Sequence, residues 1–160
     1  MKKLRDIMRS GFLFTVQKQA TVSEAVRLMA EHNVGIVIVL DGDRLAGVFS
    51  ERDIARRVLL QGLDPATLPV GQVMTADVVT ADAEMDYESA MRQMDEAGIR
   101  HLLVTSGPKM LSMISIRDLT RAVLRDREEE VQYLREYLYQ VPAQSPAPSA
   151  SSTAPEGGTS

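Results

Sequence analysis

The stretch Gly47-Val48-Phe49-Ser50-Glu51-Arg52-Asp53-Ile54 is answered 65 residues later by Ser112-Met113-Ile114-Ser115-Ile116-Arg117-Asp118-Leu119. The same offset pairs Thr15 with Thr80, Ala25 with Ala90, Met29 with Met94, Val39 with Val104, Gly42 with Gly107 and Arg56 with Arg121. The chain is therefore a duplication without internal gaps. Further upstream, Ile7-Met8 meets Val73-Met74 at an offset of 66, so one residue has been gained or lost before the threonines.

Outward from these junctions, each repeat reads as an extended opening segment, a helix, two strands and a second helix. In the first, Thr21-Val22-Ser23-Glu24 is a capping box, and Val22, Ala25, Val26 and Met29 form an apolar stripe at helical spacing, which predicts a helix over 22–32. Asn33 and its counterpart Gly98 suit a left-handed helix stop. The β-branched run 36–39 and the apolar run 45–49 flank the turn signal Asp41-Gly42 and predict two adjacent buried strands. Ser50 caps a predicted helix from about Glu51 to Gln61, ended by Gly62. The fold class is α+β, with two βαββα repeats at 1–62 and 73–125 joined by a linker at 63–72. A helical extension is expected over 126–141, carrying Val131, Leu134, Leu138 and Val141 at heptad-like spacing. The Pro-, Ala- and Ser-rich stretch 142–160 buries too little to offset its ordering entropy and is expected to be a disordered tail.

Composition narrows the chemistry. The absence of Cys excludes disulfides, thiolate metal sites and cysteine nucleophiles, and two histidines, His32 and His101, make an all-protein zinc site hard to assemble. The net charge of −4 supplies no broad field for polyanions, so nucleic acid is a poor partner. The charged N-terminus and the short apolar stretch 12–16 argue against a signal peptide or a membrane span, and the expected location is the cytoplasm. No set of nucleophile, base and orienting group is evident, so an enzyme is the weakest reading.

The strand-to-helix junctions are the chemically informative places. Free amide donors and the positive dipole end suit a phosphate, a serine hydroxyl adds a donor, Arg52 or Arg56 supplies charge, and an aspartate can accept both hydroxyls of a ribose. The competing reading is an ordinary helix start, with Ser50 or Ser115 as cap and Asp53 or Asp118 near the dipole.

The Ile-Met and Val-Met openings, Thr15 and Thr80, the segments Asn33-Val34-Gly35-Ile36 and Gly98-Ile99-Arg100-His101, and the paired Ser-x-Arg-Asp motifs together resemble tandem CBS domains, named after cystathionine β-synthase. The resemblance covers about three quarters of the chain. It implies a pseudo-two-fold arrangement of the repeats, with clefts that take AMP, ADP, ATP, NAD or S-adenosylmethionine as regulatory ligand, and no catalytic cofactor. It further implies that each cleft is built crosswise: Ser50, Arg52 and Asp53 with Val79, Thr80, Ile99 and Arg100, and Ser115, Arg117 and Asp118 with Phe14, Thr15, Val34 and Gly35. Arg100 stands where the other cleft has Gly35, which ranks the Asp53 cleft first for a phosphorylated ligand. The sequence departs from the family pattern at Ile38 and Leu103, where many members carry Pro, and at Ser112, where Gly is usual. The implied assembly is a homodimer that signals to an effector protein, with the C-terminal helix docked on its own or its partner's module. The alternative function is a ligand-free scaffold acting through that helix.

Overall fold

A computed structural model describes residues 2–8 and 13–140; the expected tail at 142–160 and the last stripe residue, Val141, lie outside them. The elements are α1 (Leu4–Ile7), β1 (Thr15–Gln17), α2 (Val22–His32), β2 (Ile36–Asp41), β3 (Arg44–Ser50), α3 (Glu51–Asp53), β4 (Thr80–Asp82), α4 (Tyr87–Ala97), β5 (His101–Ser106), β6 (Lys109–Ser115) and α5 (Ile116–Gln140). A six-residue π-helix, Ile54–Leu59, continues α3, and a single 3-10 turn, Val70–Gln72, precedes β4. No helix among the described residues is long and apolar enough to cross a membrane.

The duplication is repeated in the two sheets. Each half is a three-stranded sheet, β1-β2-β3 and β4-β5-β6, in which the first pair is parallel and the second antiparallel. Thr15 lies opposite Ile38 as Thr80 lies opposite Leu103. The capping box at Thr21 forms as its sequence demands, the hydroxyl accepting from the Glu24 amide at 3.2 Å while the Glu24 carboxylate accepts from the Thr21 amide at 2.8 Å. Asn33 ends α2 at φ 51° and Gly98 ends α4 at φ 64°, the left-handed stop expected of both.

The opening segments are exchanged between the halves. Leu4 is fully buried in the core of the second repeat, with Ala81, Tyr87, Met94, Leu102 and Leu119. The Leu4 and Arg5 amides donate to the Met85 and Ala83 carbonyls at 2.9 and 3.0 Å. In mirror fashion Val70 is fully buried in the first core with Val22, Val37 and Phe49, and the Val70 and Gly71 amides donate to Ala20 and Lys18 at 2.8 and 2.9 Å. The linker expected at 63–72 is thus a core component of the first repeat from Val70 onward.

One expected helix is corrected. The segment 51–61 is α-helical only to Asp53 and then widens: Leu60 N–H donates to the Ala55 carbonyl at 3.0 Å and Leu63 N–H to Val58 at 3.1 Å, each five residues back. Apolar periodicity does not distinguish a four-residue from a five-residue bond. The matching segment of the second repeat lies within the α-helix Ile116–Gln140. In α5 beyond the core, Leu124, Val131, Leu134 and Leu138 are all exposed.

Candidate functional site: a cleft between the repeats

A cleft of about 1000 Å³ is lined by residues of both repeats. It brings together Ser50, Arg52, Asp53, Val79, Ile99, Arg100, Phe14, Val34, Gly35, Ser115, Arg117 and Asp118, twelve of the fourteen residues expected from sequence. Thr15 and Thr80 are not among its lining residues; they are exposed ends of β1 and β4. Arg56, offered as a second cation, does not line it either, whereas Arg121 does.

Hydrogen bonds cross between the repeats at this cleft. The Thr75 hydroxyl, from the opening of the second repeat, donates to Asp53 Oδ1 of the first at 3.2 Å. Arg52 Nη1 donates to the carbonyl of Gly98 at 3.2 Å, placing a cation on the C-terminal end of α4, where the helix dipole favours it. Both expected helix caps also form. Asp53 Oδ2 accepts from the Ser50 amide at 2.9 Å and hydroxyl at 3.1 Å. Asp118 Oδ2 accepts from the Ser115 amide at 2.9 Å and hydroxyl at 2.8 Å. Each carboxylate thereby spends one oxygen on its own helix start, so the capping and ligand readings are not exclusive.

Sequence reasoning missed the partners of the second oxygen of Asp53. Besides Thr75, the Arg57 guanidinium lies 3.6 Å away through Nε, and its Nη1 donates to the Met74 carbonyl at 2.6 Å. The signal was available in part, because Arg57 stands four residues after Asp53, a spacing at which opposite charges meet on a helix. Thr75, by contrast, reaches Asp53 only through the bridge its backbone makes to Val48, with N···O distances of 2.8 and 2.9 Å. Two of the other unpredicted lining residues, Glu51 and Asp77, are acidic. Phe14 and His32 are stacked, with ring centroids 4.2 Å apart and planes 22° apart, and both line the cleft. His32, read as a helix-end surface residue, is exposed and doubles as that stacking partner.

His101 sits at the start of β5, and burial pushes its imidazole below its ordinary pKa; the nearby Glu51 and Asp118 carboxylates oppose this and Arg100 reinforces it. The unfolded chain takes up this proton at about pH 6.5, the folded chain only at lower pH. Stability from the neutral imidazole is therefore complete above about pH 6.5 and is lost as the pH falls through that value toward the folded pKa. Urea midpoints at pH 7.5 and 5.5 are expected to fall more for the wild type than for His101→Gln. Equal falls would remove His101 from the account.

Comparison with known proteins follows the same division into repeats. The family model described as CBS domain matches residues 4–60 and 70–125. The mitochondrial CBS domain-containing protein CBSX3 of Arabidopsis thaliana is 38% identical over 123 residues, covering 74% of this chain and 60% of its own length. The CBS domain-containing protein YhcV of Bacillus subtilis is 34% identical over 119 residues, covering 74% of this chain and 84% of its own. A solved CBS-domain protein of Burkholderia ambifaria superposes with a TM-score of 0.76 at 35% identity, over 78% of this chain and 96% of its own. With both repeats matched in sequence and in fold, the chain belongs to the CBS-domain family as a tandem pair.

Proposed function

We propose that the chain is a regulatory module that binds an adenosine-containing nucleotide (AMP, ADP, ATP, NAD or S-adenosylmethionine) in the cleft between its repeats and passes occupancy to an effector protein. CBS domains are in general regulatory, ligand-binding modules. The observation that carries the reading is the convergence of two serine–aspartate helix starts on one cleft walled by Phe14, Val34, Val79 and Ile99. Carboxylates accept ribose hydroxyls, arginines and helix N-termini attract phosphate, and apolar walls accept a base. Mass spectrometry of nucleotide released from purified protein, followed by calorimetric titration of AMP, ATP and NAD, tests it. Protein that releases no nucleotide and gives no heat with any of the three would favour the scaffold reading instead.

We also propose that the module works as a homodimer in which α5 pairs with α5 of a second copy. Leu124, Val131 and Leu138 recur every seventh residue with Leu134 between them, and all are exposed. Apolar residues at such heptad spacing pack against a second helix. In that register Glu130, paired with Arg127 of its own helix at 3.2 Å, falls beside Arg135 of the second helix. At about 25 cal/mol per Å² of apolar area, burial of Leu134 and Leu138 is worth a few kcal/mol. Ending the chain after Arg125 should weaken self-association in light scattering. An unchanged assembly would take the helix out of the dimer.

A further inference from the structure

We propose that Thr75 and Arg57 are positioning residues: they fix the Asp53 carboxylate as the acceptor of a ribose hydroxyl and thereby set the chain's preference for a ribonucleotide over its dideoxy analogue. This rests on the nucleotide reading above.

A carboxylate offers about four lone-pair positions on its two oxygens, and at Asp53 they are unevenly used. Oδ2 accepts twice from its own helix start, from the Ser50 amide at 2.9 Å and hydroxyl at 3.1 Å. Oδ1 accepts once, from the Thr75 hydroxyl at 3.2 Å, and Arg57 Nε at 3.6 Å is an ion-pair partner beyond hydrogen-bond distance. Among the described residues one acceptor position on Oδ1 is therefore unspent, on a side chain that lines the cleft yet is only 7% exposed. Held through Oδ2 alone, the carboxylate could pivot. With partners at both oxygens its plane is set before a ligand arrives, and binding to a preoriented acceptor costs less ordering.

Both partners are anchored independently of any ligand. The Thr75 backbone is bonded both ways to Val48, at 2.8 and 2.9 Å. That approach is possible because residue 47 is glycine: a Cβ there would lie 2.6 Å from the Thr75 carbonyl oxygen. Arg57 Nη1 donates to the Met74 carbonyl at 2.6 Å, which ties the guanidinium to the residue preceding Thr75. Arg57 is not among the lining residues of the cleft, so its effect on a ligand there passes through Asp53. Thr75 does line the cleft, but its hydroxyl hydrogen is already given to Asp53.

Calorimetric titration of the full chain with AMP and with dideoxy-AMP, which lacks both ribose hydroxyls, tests the assignment. The wild type should prefer AMP at least about tenfold, the effect of one hydrogen bond to a charged group. Thr75→Val should cut that preference severalfold and Thr75→Ser should restore most of it. Arg57→Ala combined with Thr75→Val should lower it to the value of Asp53→Ala. Adding either substitution to Asp53→Ala should change the preference by less than about twofold, because the group they position is gone. Melting curves run in parallel identify the folded variants, and Thr75→Val alone stands in if the double variant does not fold. A wild-type preference retained in folded Thr75→Val and Arg57→Ala, or an equal further loss in the Asp53→Ala background, would overturn the positioning role and leave the nucleotide reading intact. Equal affinity of the wild type for AMP and dideoxy-AMP would do the same. No binding of AMP, ATP, NAD or S-adenosylmethionine by folded wild type would overturn the nucleotide reading and this assignment with it.

Discussion

Asp118→Ala is expected to lower affinity for an adenosine nucleotide at least tenfold while lowering the melting temperature by only a few degrees. Asp118 lines the cleft and its Oδ1 accepts no hydrogen bond among the described residues, so a ribose hydroxyl can bond to the carboxylate there. Bonds to a charged group contribute roughly 1.5–3 kcal/mol each. Even one of them, at about 1.4 kcal/mol per decade, accounts for the tenfold loss. The structural cost is separate and smaller. Asp118 closes the capping box of α5 through the Ser115 amide at 2.9 Å, and losing such a cap costs about 1 kcal/mol. A pure helix-start role therefore predicts the stability loss without the affinity loss. Titration and melting of the same variant separate the two, and unchanged affinity would withdraw Asp118 from ligand binding.

The features legible in sequence are those decided within a few residues. Thr21 and Glu24 cap α2 because a hydroxyl and a carboxylate three apart reach each other's amides, and Asn33 stops it because few other side chains tolerate φ 51°. The duplication then carries the second repeat with the first, and the family resemblance supplies the crosswise cleft. What stayed hidden depends on partners distant in the chain. The occupancy of Asp53 Oδ1 follows from a bridge between Val48 and Thr75, 27 residues apart, and from the absence of a Cβ at Gly47. Neither leaves a periodic trace. The exclusion of Thr15 and Thr80 from the cleft has a similar origin: they occupy the outward positions of three-residue strands whose burial alternates, and the motif alone does not say which face is wet.

The exchange of opening segments makes Leu4→Ala the most destabilising substitution expected near the N-terminus, at about 2–5 kcal/mol for a buried leucine that leaves a cavity. Position in the chain suggests the opposite, since terminal residues usually fray. Here the backbone is held on both sides of the side chain, by the Leu4 and Arg5 amides on Met85 and Ala83 and by the Tyr87 amide on the Lys2 carbonyl at 3.3 Å. The side chain itself is fully buried between Ala81, Leu102 and Leu119. The damage should therefore appear far from the substitution. Hydrogen exchange is expected to accelerate in β5 and β6, over 101–115, before it does in β2 and β3, over 36–50. Val70→Ala should show the reverse pattern with a smaller cost, because it removes less side chain from the first core. If Leu4→Ala instead loosened 36–50 first, each opening segment would belong to its own repeat. The crosswise cleft would then lose its scaffold, because the same exchange carries Thr75 to Asp53.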